Sequence, residues 1–216
     1  MAIAQKFKAK LTTAQLSKVE QVCKNLKIDP NWLLAVMYFE SGGTFSPAKR
    51  NPIGSVGLIQ FTRDKAGVQY KTIGGVKYML DTLAKMTFVQ QMDVVEKYYK
   101  EAKGSKSLNS FIDTYLVTFF PAALGKASDY VFATKNLAAS LIARQNPAFD
   151  RNKDGVIHKG EVVDYFRQMY NAQGFDFDSE INSSKTRLGL GAVAMIAAVF
   201  FYTVTTVNWV VLPYLT

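Results

Sequence analysis

Hydrophobic residues recur at intervals of three or four along most of the chain, which is the spacing of one face of an α-helix. The first such run follows a Thr-x-x-Gln capping box that starts at Thr12, and it consists of Leu16, Val19, Val22, Cys23 and Leu26. Further helices are predicted over residues 74–100, 108–120 and 128–143. No stretch of useful length alternates apolar and polar residues with the period of two that is typical of strands. The pattern therefore predicts an all-α domain.

One predicted helix has almost no polar face. Asp29-Pro30 is a helix-start signal, since Asp can cap free amides and Pro suits the first helical position, and the residues from Trp32 to Phe39 are nearly all apolar. A helix of this kind belongs in the centre of a domain. It ends at Glu40, just before a Ser-Gly-Gly turn. Apolar surroundings raise the pKa of a carboxyl group, so Glu40 is a candidate general acid.

The end of the chain has a different character. Residues 188–212 are apolar or small and carry no charge, and the run exceeds the roughly 20 residues that cross a bilayer as a helix. Lys185 and Arg187 precede the run, whereas Trp209 and Tyr214 lie near its far end, where aromatic residues suit a membrane interface. The pattern predicts one C-terminal transmembrane helix that binds the chain to a lipid membrane.

Composition narrows the classes of partner. The chain has 216 residues and a formal net charge of +9, and 49% of the residues are hydrophobic, which is enough for a core. A basic domain suits a polyanionic partner such as nucleic acid, acidic lipid or the carboxylate-bearing bacterial wall. No nucleic-acid motif is present, so no nucleic-acid partner is expected. The single cysteine, Cys23, excludes an internal disulfide framework and a thiolate-rich zinc site.

Residues 150–161 match the calcium loop of EF-hand proteins, D-x-N-x-D-G-x-I-x-x-x-E. Gly155 stands where the loop must turn sharply. The predicted ligands are side-chain oxygens and one backbone carbonyl, from Asp150, Asn152, Asp154, Val156 (carbonyl) and Glu161. Because only one such loop is visible, bound Ca²⁺ is expected to be structural rather than sensory, with a dissociation constant on the order of 0.1–1 mM. The alternative is a metal-free turn of the same shape.

Two motifs resemble those of lytic transglycosylases, the lysozyme-like enzymes that cut peptidoglycan, and in particular the type carried in phage particles. They are the Glu-Ser-Gly-Gly sequence at Glu40 and the sequence from Asn51 to Phe61, which contains Gly-Leu-Ile-Gln. The resemblance covers roughly residues 15–140. It implies that Glu40 is the catalytic acid and base, that Ser41 is its hydrogen-bonding neighbour, and that Gly57 and Gln60 line the sugar cleft.

A third motif of this family, an aromatic residue followed by Asn or Pro, has a counterpart in Phe119-Phe120-Pro121. The family's usual tyrosine is Phe120 here, which lacks a hydroxyl. Tyr115 could supply the missing hydroxyl if it faced the same cleft. Tyr115 and Phe120 therefore join Ser41, Gly57 and Gln60 as predicted substrate-binding residues.

The resemblance implies cleavage of the β-1,4 bond between N-acetylmuramic acid and N-acetylglucosamine. Glycosidases normally need a second carboxylate near the first. Asp64 and Asp81 are the nearest downstream of Glu40, but neither lies in a motif, which favours a transglycosylase over a hydrolytic lysozyme. The competing hypothesis is a structural virion protein with a catalytically inactive lysozyme fold that links membrane and capsid. The phenylalanine at position 120, in place of the family's tyrosine, favours this alternative.

The predicted topology bears on location. Lys185 and Arg187 would keep the basic domain on the cytoplasmic side, away from the wall. An enzyme of the wall on the cytoplasmic side is explained if the protein belongs to a phage with an internal membrane. The cytoplasmic face of the host membrane then becomes the outer face of the vesicle inside the capsid, and the domain lies between membrane and capsid until entry. The chain is therefore expected in a virion internal membrane, with capsid proteins as further candidate partners. A bacterial inner membrane is the alternative.

Four segments follow from these patterns. They are a basic N-terminal arm (1–11), a lysozyme-like catalytic domain (12–146), an EF-hand-like calcium loop with a flanking helix (147–184) and a transmembrane anchor (185–216). The arm lacks the pattern of a secretory signal peptide and is expected to be mobile or to bind a partner.

Overall fold

The computed structural model describes residues 2–182 of the chain. Its helices, in chain order, are α1 (Gln5–Lys8), α2 (Thr13–Leu26), α3 (Pro30–Glu40), α4 (Leu80–Lys85), α5 (Phe88–Lys103), α6 (Phe111–Phe119), α7 (Ala139–Gln145) and α8 (Lys159–Ala172). Two strands, β1 (Tyr70–Ile73) and β2 (Val76–Met79), lie between α3 and α4. A 3₁₀ turn (Pro121–Ala123) follows α6, and a π-helical turn (Phe177–Ile181) follows α8.

Helix α3 is the centre of the core, as its apolar sequence predicts. Residues 31–37 are all buried, and α3 packs against α2, α6 and the π-helical turn. The start signal is also confirmed, because the Asp29 side chain accepts a hydrogen bond from the Asn31 amide and Pro30 occupies the first turn. This buried position is possible because the helix has no polar face that needs water.

The prediction of an all-α, lysozyme-like fold is wrong, because β1 and β2 form an antiparallel hairpin within a mostly helical chain. Tyr70 pairs with Met79 at its open end, and Ile73 pairs with Val76 beside the turn. Gly74 and Gly75 make that turn with φ of +58° and +74°, the backbone that two-residue hairpins require. A glycine pair between two short segments with β-branched and aromatic residues is a hairpin signal, whereas the helix predicted from residue 74 begins only at α4.

The helix predicted over residues 128–143 is also largely absent, since α7 begins only at Ala139. The backbone before it pairs instead with the last part of the loop of residues 150–161: Phe132 donates to the Ile157 carbonyl at 2.9 Å, and Lys159 donates to the Tyr130 carbonyl at 3.0 Å. This long-range pairing satisfies backbone groups that a helix would otherwise satisfy locally.

Both ends of the described chain pack onto the same core. Phe7 of the N-terminal arm is fully buried, and Asn31 at the start of α3 accepts a hydrogen bond from the Ala4 amide at 2.8 Å. On the other side, the Tyr170 hydroxyl of α8 donates to the Ala35 carbonyl in the middle of α3, at 2.6 Å. Residues 2–11 and α8 are therefore integral to the domain that contains α3.

Within residues 2–182, no helix is long and apolar enough to cross a membrane. The transmembrane helix predicted over residues 188–212 lies outside the described residues.

Candidate functional site

Glu40 is the last residue of α3, where the buried helix reaches the surface and its side chain becomes partly exposed. Burial raises the pKa of its carboxyl group from 4.5 to about 8, because the ionised form is poorly solvated there. Within residues 2–182, the carboxyl group forms no ion pair that would offset this effect. Glu40 can therefore hold a proton at neutral pH and release it to a bound group.

Four tyrosines lie close enough for the charge of Glu40 to raise their pKa, after the larger effect of burial: Tyr98, Tyr99, Tyr115 and Tyr170. Tyr99 and Tyr170 are fully buried, and their hydroxyls donate to the carbonyls of Thr114 and Ala35. Tyr115 is 2% exposed. Tyr98 is the partly exposed member of this group.

Tyr98 lies near both Glu40 and the motif of residues 51–61. It lies on α5, and its ring meets the ring of Phe61 edge-on with centroids 5.9 Å apart. Its hydroxyl donates a long hydrogen bond of 3.4 Å to the Val117 carbonyl, and burial together with the charge of Glu40 raises its pKa to about 12. Tyr98 therefore stays a neutral hydrogen-bond donor, and its hydroxyl is held only weakly. Sequence reasoning missed this residue because nothing in its local sequence connects it to Glu40.

The Ser-Gly-Gly turn after Glu40 is structural. Ser41 is fully buried, and its hydroxyl closes the turn by accepting the Phe45 amide at 2.9 Å; among the described residues it forms no hydrogen bond with Glu40. Gly42 and Gly43 have φ of +62° and +77°, which favour glycine. The turn reverses the chain immediately after the carboxyl group.

The Gly-Leu-Ile-Gln motif forms a tight loop closed by paired hydrogen bonds between Val56 and Phe61. Gln60 is 5% exposed and takes a φ of +53°, and its amide nitrogen donates to the carbonyls of Gly57 and Lys49. Its side-chain oxygen is buried and has no hydrogen-bond partner within the described part of the chain. Gln60 therefore fixes the loop from inside and keeps one acceptor unused.

Gln91 of α5 holds this loop in place. It is fully buried; its side-chain oxygen accepts the Leu58 amide at 2.7 Å, and its nitrogen donates to the carbonyls of Pro47 and Leu83. A Cβ at Gly57, whose φ is +92°, would collide with the side-chain oxygen of Gln91, so only glycine fits. The one sequence signal for Gln91 is a polar residue on an otherwise apolar helix face.

The third motif is not at the surface. Phe120 is fully buried and stacks on Phe132, with centroids 4.9 Å apart and an interplanar angle of 4°. Tyr115 lies in an aromatic cluster between α3, α6 and α8, where its ring packs against Phe39 and Phe166. Neither side chain offers more than a marginal surface to a sugar, so the two differ from the cleft positions that the resemblance implies.

The two downstream carboxylates have other partners. Asp64 accepts the Thr72 amide at 2.9 Å and pairs with Lys71 at 3.2 Å; burial alone would raise its pKa, but these hydrogen bonds and the charge of Lys71 outweigh burial and lower it. Asp81 pairs with Arg50, and its side chain is 83% exposed. Asp64 is therefore ionised and held at the hairpin.

Residues 150–161 fold as a compact loop around their own amides. Asp150 accepts the Gly155 amide at 3.1 Å, Asp154 accepts the Val156 amide at 3.0 Å, and Glu161 accepts the amides of Arg151 and Asn152. The second oxygen of Asp150 is buried without a hydrogen-bond partner in the described chain. Among residues 2–182, no three His, Cys, Asp or Glu side chains are grouped as a metal site.

The donor types still suit a hard cation. Carboxylate and amide oxygens are the ligands that Ca²⁺ prefers, and the unpartnered oxygen of Asp150 is at the first ligand position of the motif. Burial alone would raise the pKa of Glu161, but hydrogen bonds from the amides of His158, Asn152 and Arg151 outweigh burial and lower it, so the closing carboxylate is charged. The residues present therefore fit Ca²⁺ in chemistry, although their oxygens are bound to loop amides.

The site thus combines a protonated carboxyl group, a neutral phenol and a rigid glycine loop, which together suit proton transfer to a bound substrate. Comparisons of this chain with protein-family models, with curated proteins and with solved structures found no match.

Proposed function

We propose that the chain is a peptidoglycan-cleaving lytic transglycosylase in which Glu40 is both the acid and the base. The observation that carries the proposal is the carboxyl group of Glu40, with a pKa of about 8, at the surface end of a buried helix. A general acid works best when its pKa lies near the working pH. The likeness of the Glu-Ser-Gly-Gly and Gly-Leu-Ile-Gln motifs to this enzyme family supplies the substrate, the glycan strand of the bacterial wall.

The proposed reaction needs only one carboxyl group. Protonated Glu40 gives its proton to the oxygen that leaves from the β-1,4 bond between N-acetylmuramic acid and N-acetylglucosamine. The 6-hydroxyl of the muramic residue then attacks its own anomeric carbon and returns a proton to Glu40, which yields an anhydro ring. Hydrolysis by the usual routes would need a second carboxylate close to the first, and Asp64 and Asp81 are paired with Lys71 and Arg50 instead.

Tyr98 is the hydroxyl best suited to assist Glu40. Of the tyrosines that feel the charge of Glu40, it is the partly exposed one, and its bond to the Val117 carbonyl is long enough to exchange for a substrate oxygen. In this proposal it takes the place of the family tyrosine, because Phe120 and Tyr115 are in the core.

We also propose a structural Ca²⁺ bound by the loop of residues 150–161, through Asp150, Asn152, Asp154, Glu161 and the Val156 carbonyl. When bound, the ion would neutralise the clustered carboxylates. Phe132 and Tyr130 form backbone hydrogen bonds to residues 157–159, so ordering the loop would also order this strand-like segment. The location in a virion membrane stays a prediction from the sequence of residues 185–216.

The test is the chemical end of the product. The full-length chain in detergent is incubated with purified peptidoglycan sacculi, and the released fragments are analysed by mass spectrometry. Anhydro-muramic ends, one water lighter than reducing ends, are the expected product. Hydrated ends alone would instead make the protein a hydrolase, and a folded wild-type chain that releases nothing would leave the structural virion protein as the function.

A further inference from the structure

Lys49 places a positive charge beside the turn that follows Glu40. Its Nζ lies 3.9 Å from the position that a Cβ on Gly42 would occupy. Its backbone is held in place, since the Lys49 carbonyl accepts hydrogen bonds from the Gly57 amide at 2.8 Å and from the Gln60 side chain at 3.2 Å. The Gly-Leu-Ile-Gln loop therefore fixes the backbone of Lys49, and the side chain of Lys49 extends to the turn that follows Glu40.

The charge of Lys49 is not neutralised within the described residues. Its neighbour Arg50 pairs with Asp81, and Lys71 pairs with Asp64, but Lys49 forms no ion pair between residues 2 and 182. An exposed lysine that lies beside the turn after Glu40 and has no counter-ion in the described residues is available to an anionic group of a ligand.

Contacts lead from Lys49 to the β-hairpin. The ion pair of Arg50 with Asp81 places this part of the loop beside the end of β2, because Asp81 follows Met79 by two residues. Tyr70 pairs with Met79 at that same end of the hairpin. The open end of the hairpin is therefore next to the loop that carries Lys49.

The hairpin has an inner and an outer face. Ile73 on the inner face is fully buried. Because side chains alternate between the faces of a strand, the outer face carries the two cross-strand pairs Tyr70–Met79 and Thr72–Lys77. Lys77 and Met79 are exposed there, and the Nζ of Lys77 lies 4.8 Å from the centre of the Tyr70 ring. This outer face presents a cation that is held over an aromatic ring.

We propose that Lys49 and the outer face of the hairpin bind the free carboxylates of peptide side chains on the glycan strand, so that the protein selects peptide-bearing over bare or neutral strands. This inference rests on the proposed function and adds its substrate class. Charge complementarity favours it. Within residues 2–182, neither Lys49, beside the turn after Glu40, nor Lys77, over the Tyr70 ring, forms an ion pair. The stem peptides of the wall are the carboxylate-bearing groups on such a strand.

Binding is measured on a cleavage-inactive background so that strand cutting does not enter. Full-length Glu40→Gln chain in detergent is titrated with sacculi, with sacculi whose carboxylates have been amidated, and with chitin, a neutral polymer of the same kind of sugar. The same titrations are done after Lys49→Gln and Lys77→Gln substitution, singly and together. Lys135→Gln, a change at an exposed lysine between the 3₁₀ turn and α7, is the matched control.

We expect the double variant to bind native sacculi about 3–10-fold more weakly, the scale of two screened ion pairs, and the control to bind as the parent does. Amidation should weaken the parent by a similar factor and leave the double variant unchanged. Added salt should weaken the parent more than the double variant. Equal binding of parent and double variant, or of native and amidated sacculi, would overturn the inference.

Two further outcomes would also contradict the proposed recognition of stem-peptide carboxylates. If double-stranded DNA displaces the parent as well as soluble wall peptides do, the lysines form a general polyanion surface. If chitin binds as tightly as sacculi, carboxylates are not recognised. Failure of the proposed function looks different, because the Glu40-containing chain would then release no fragments from native or amidated sacculi, whatever their binding.

Discussion

At the scale of single residues, Glu40 carries the chemistry of the proposal. Its helix is predictable from the sequence, and so is the rise in its pKa, because the residues before it leave no polar face. Ser41 and Gln60 were expected to contact the substrate, but their polar atoms close the turn and the loop. A motif thus identifies the loop correctly without revealing which of its side chains face outward.

The raised pKa of Glu40 predicts a pH-dependent gain in stability for Glu40→Gln. Between pH 4.5 and about 8 the folded chain keeps a proton that the unfolded chain releases, so the ionisation of Glu40 increasingly favours the unfolded state as the pH rises through this window. We expect the variant to gain roughly 2 kcal/mol in the free energy of unfolding at about pH 9 and little near pH 4.5, since each pKa unit is worth about 1.4 kcal/mol and partial exposure reduces the effect. Urea denaturation at both pH values measures it. The prediction is contradicted by a gain that does not change with pH.

At the scale of elements, the loop of residues 47–61 depends on Gln91. Its partners Pro47 and Leu58 lie 44 and 33 residues away in sequence, so no local pattern could have predicted these hydrogen bonds. The β1–β2 hairpin was missed for another reason: each strand has only four residues, too few for alternation to stand out against the helical pattern that follows.

Gln91→Ala should therefore destabilise the domain by about 3 kcal/mol, since it leaves a buried amide, a buried carbonyl and a partly buried carbonyl without their partner and opens a small cavity. Denaturant unfolding measures the change. Gln21→Ala on the exposed face of α2 is the matched control and should change stability by less than about 0.5 kcal/mol. Similar losses in both variants would show that the hydrogen bonds of Gln91 add no stability beyond that of an exposed glutamine.

The calcium-type loop makes a prediction at the same scale. Millimolar Ca²⁺ should raise the melting temperature of the wild-type chain, because an ion that binds the folded state stabilises it by mass action. Glu161→Gln removes a ligand charge and should abolish the shift, whereas Asp164→Asn on the exposed side of α8 should retain it. A wild-type melting curve that is the same in calcium and in chelator would mean that the loop keeps its shape through its own hydrogen bonds.

At the scale of the whole molecule, the chain was expected to divide into an arm, a catalytic domain and a calcium segment, but Phe7 and Tyr170 pack into the core around α3. Sequence periodicity gives the inward face of each helix and says nothing about which helices meet. The buried tyrosines and phenylalanines of α6 and α8 join these segments in one aromatic cluster.

Tyr170→Phe tests this integration. The change removes the hydroxyl that donates to the Ala35 carbonyl of α3 at 2.6 Å and keeps the ring. We expect a loss of about 1 kcal/mol in the free energy of unfolding, with one cooperative transition retained. Tyr78→Phe, at a partly exposed tyrosine of β2, should cost less. Separate unfolding of α8 in the wild type would contradict a shared core.

The central claim is that Glu40 transfers the proton that breaks the glycan strand. The most direct test is the initial rate at which full-length wild type, Glu40→Gln and Glu20→Gln release fragments from sacculi near neutral pH. Glu20→Gln makes the same chemical change at an exposed glutamate of α2. We predict that Glu40→Gln lowers the rate by about 10²–10⁴-fold, as loss of a general acid does, and that Glu20→Gln leaves it unchanged. A Glu40→Gln chain that cuts sacculi at the wild-type rate would contradict the claim.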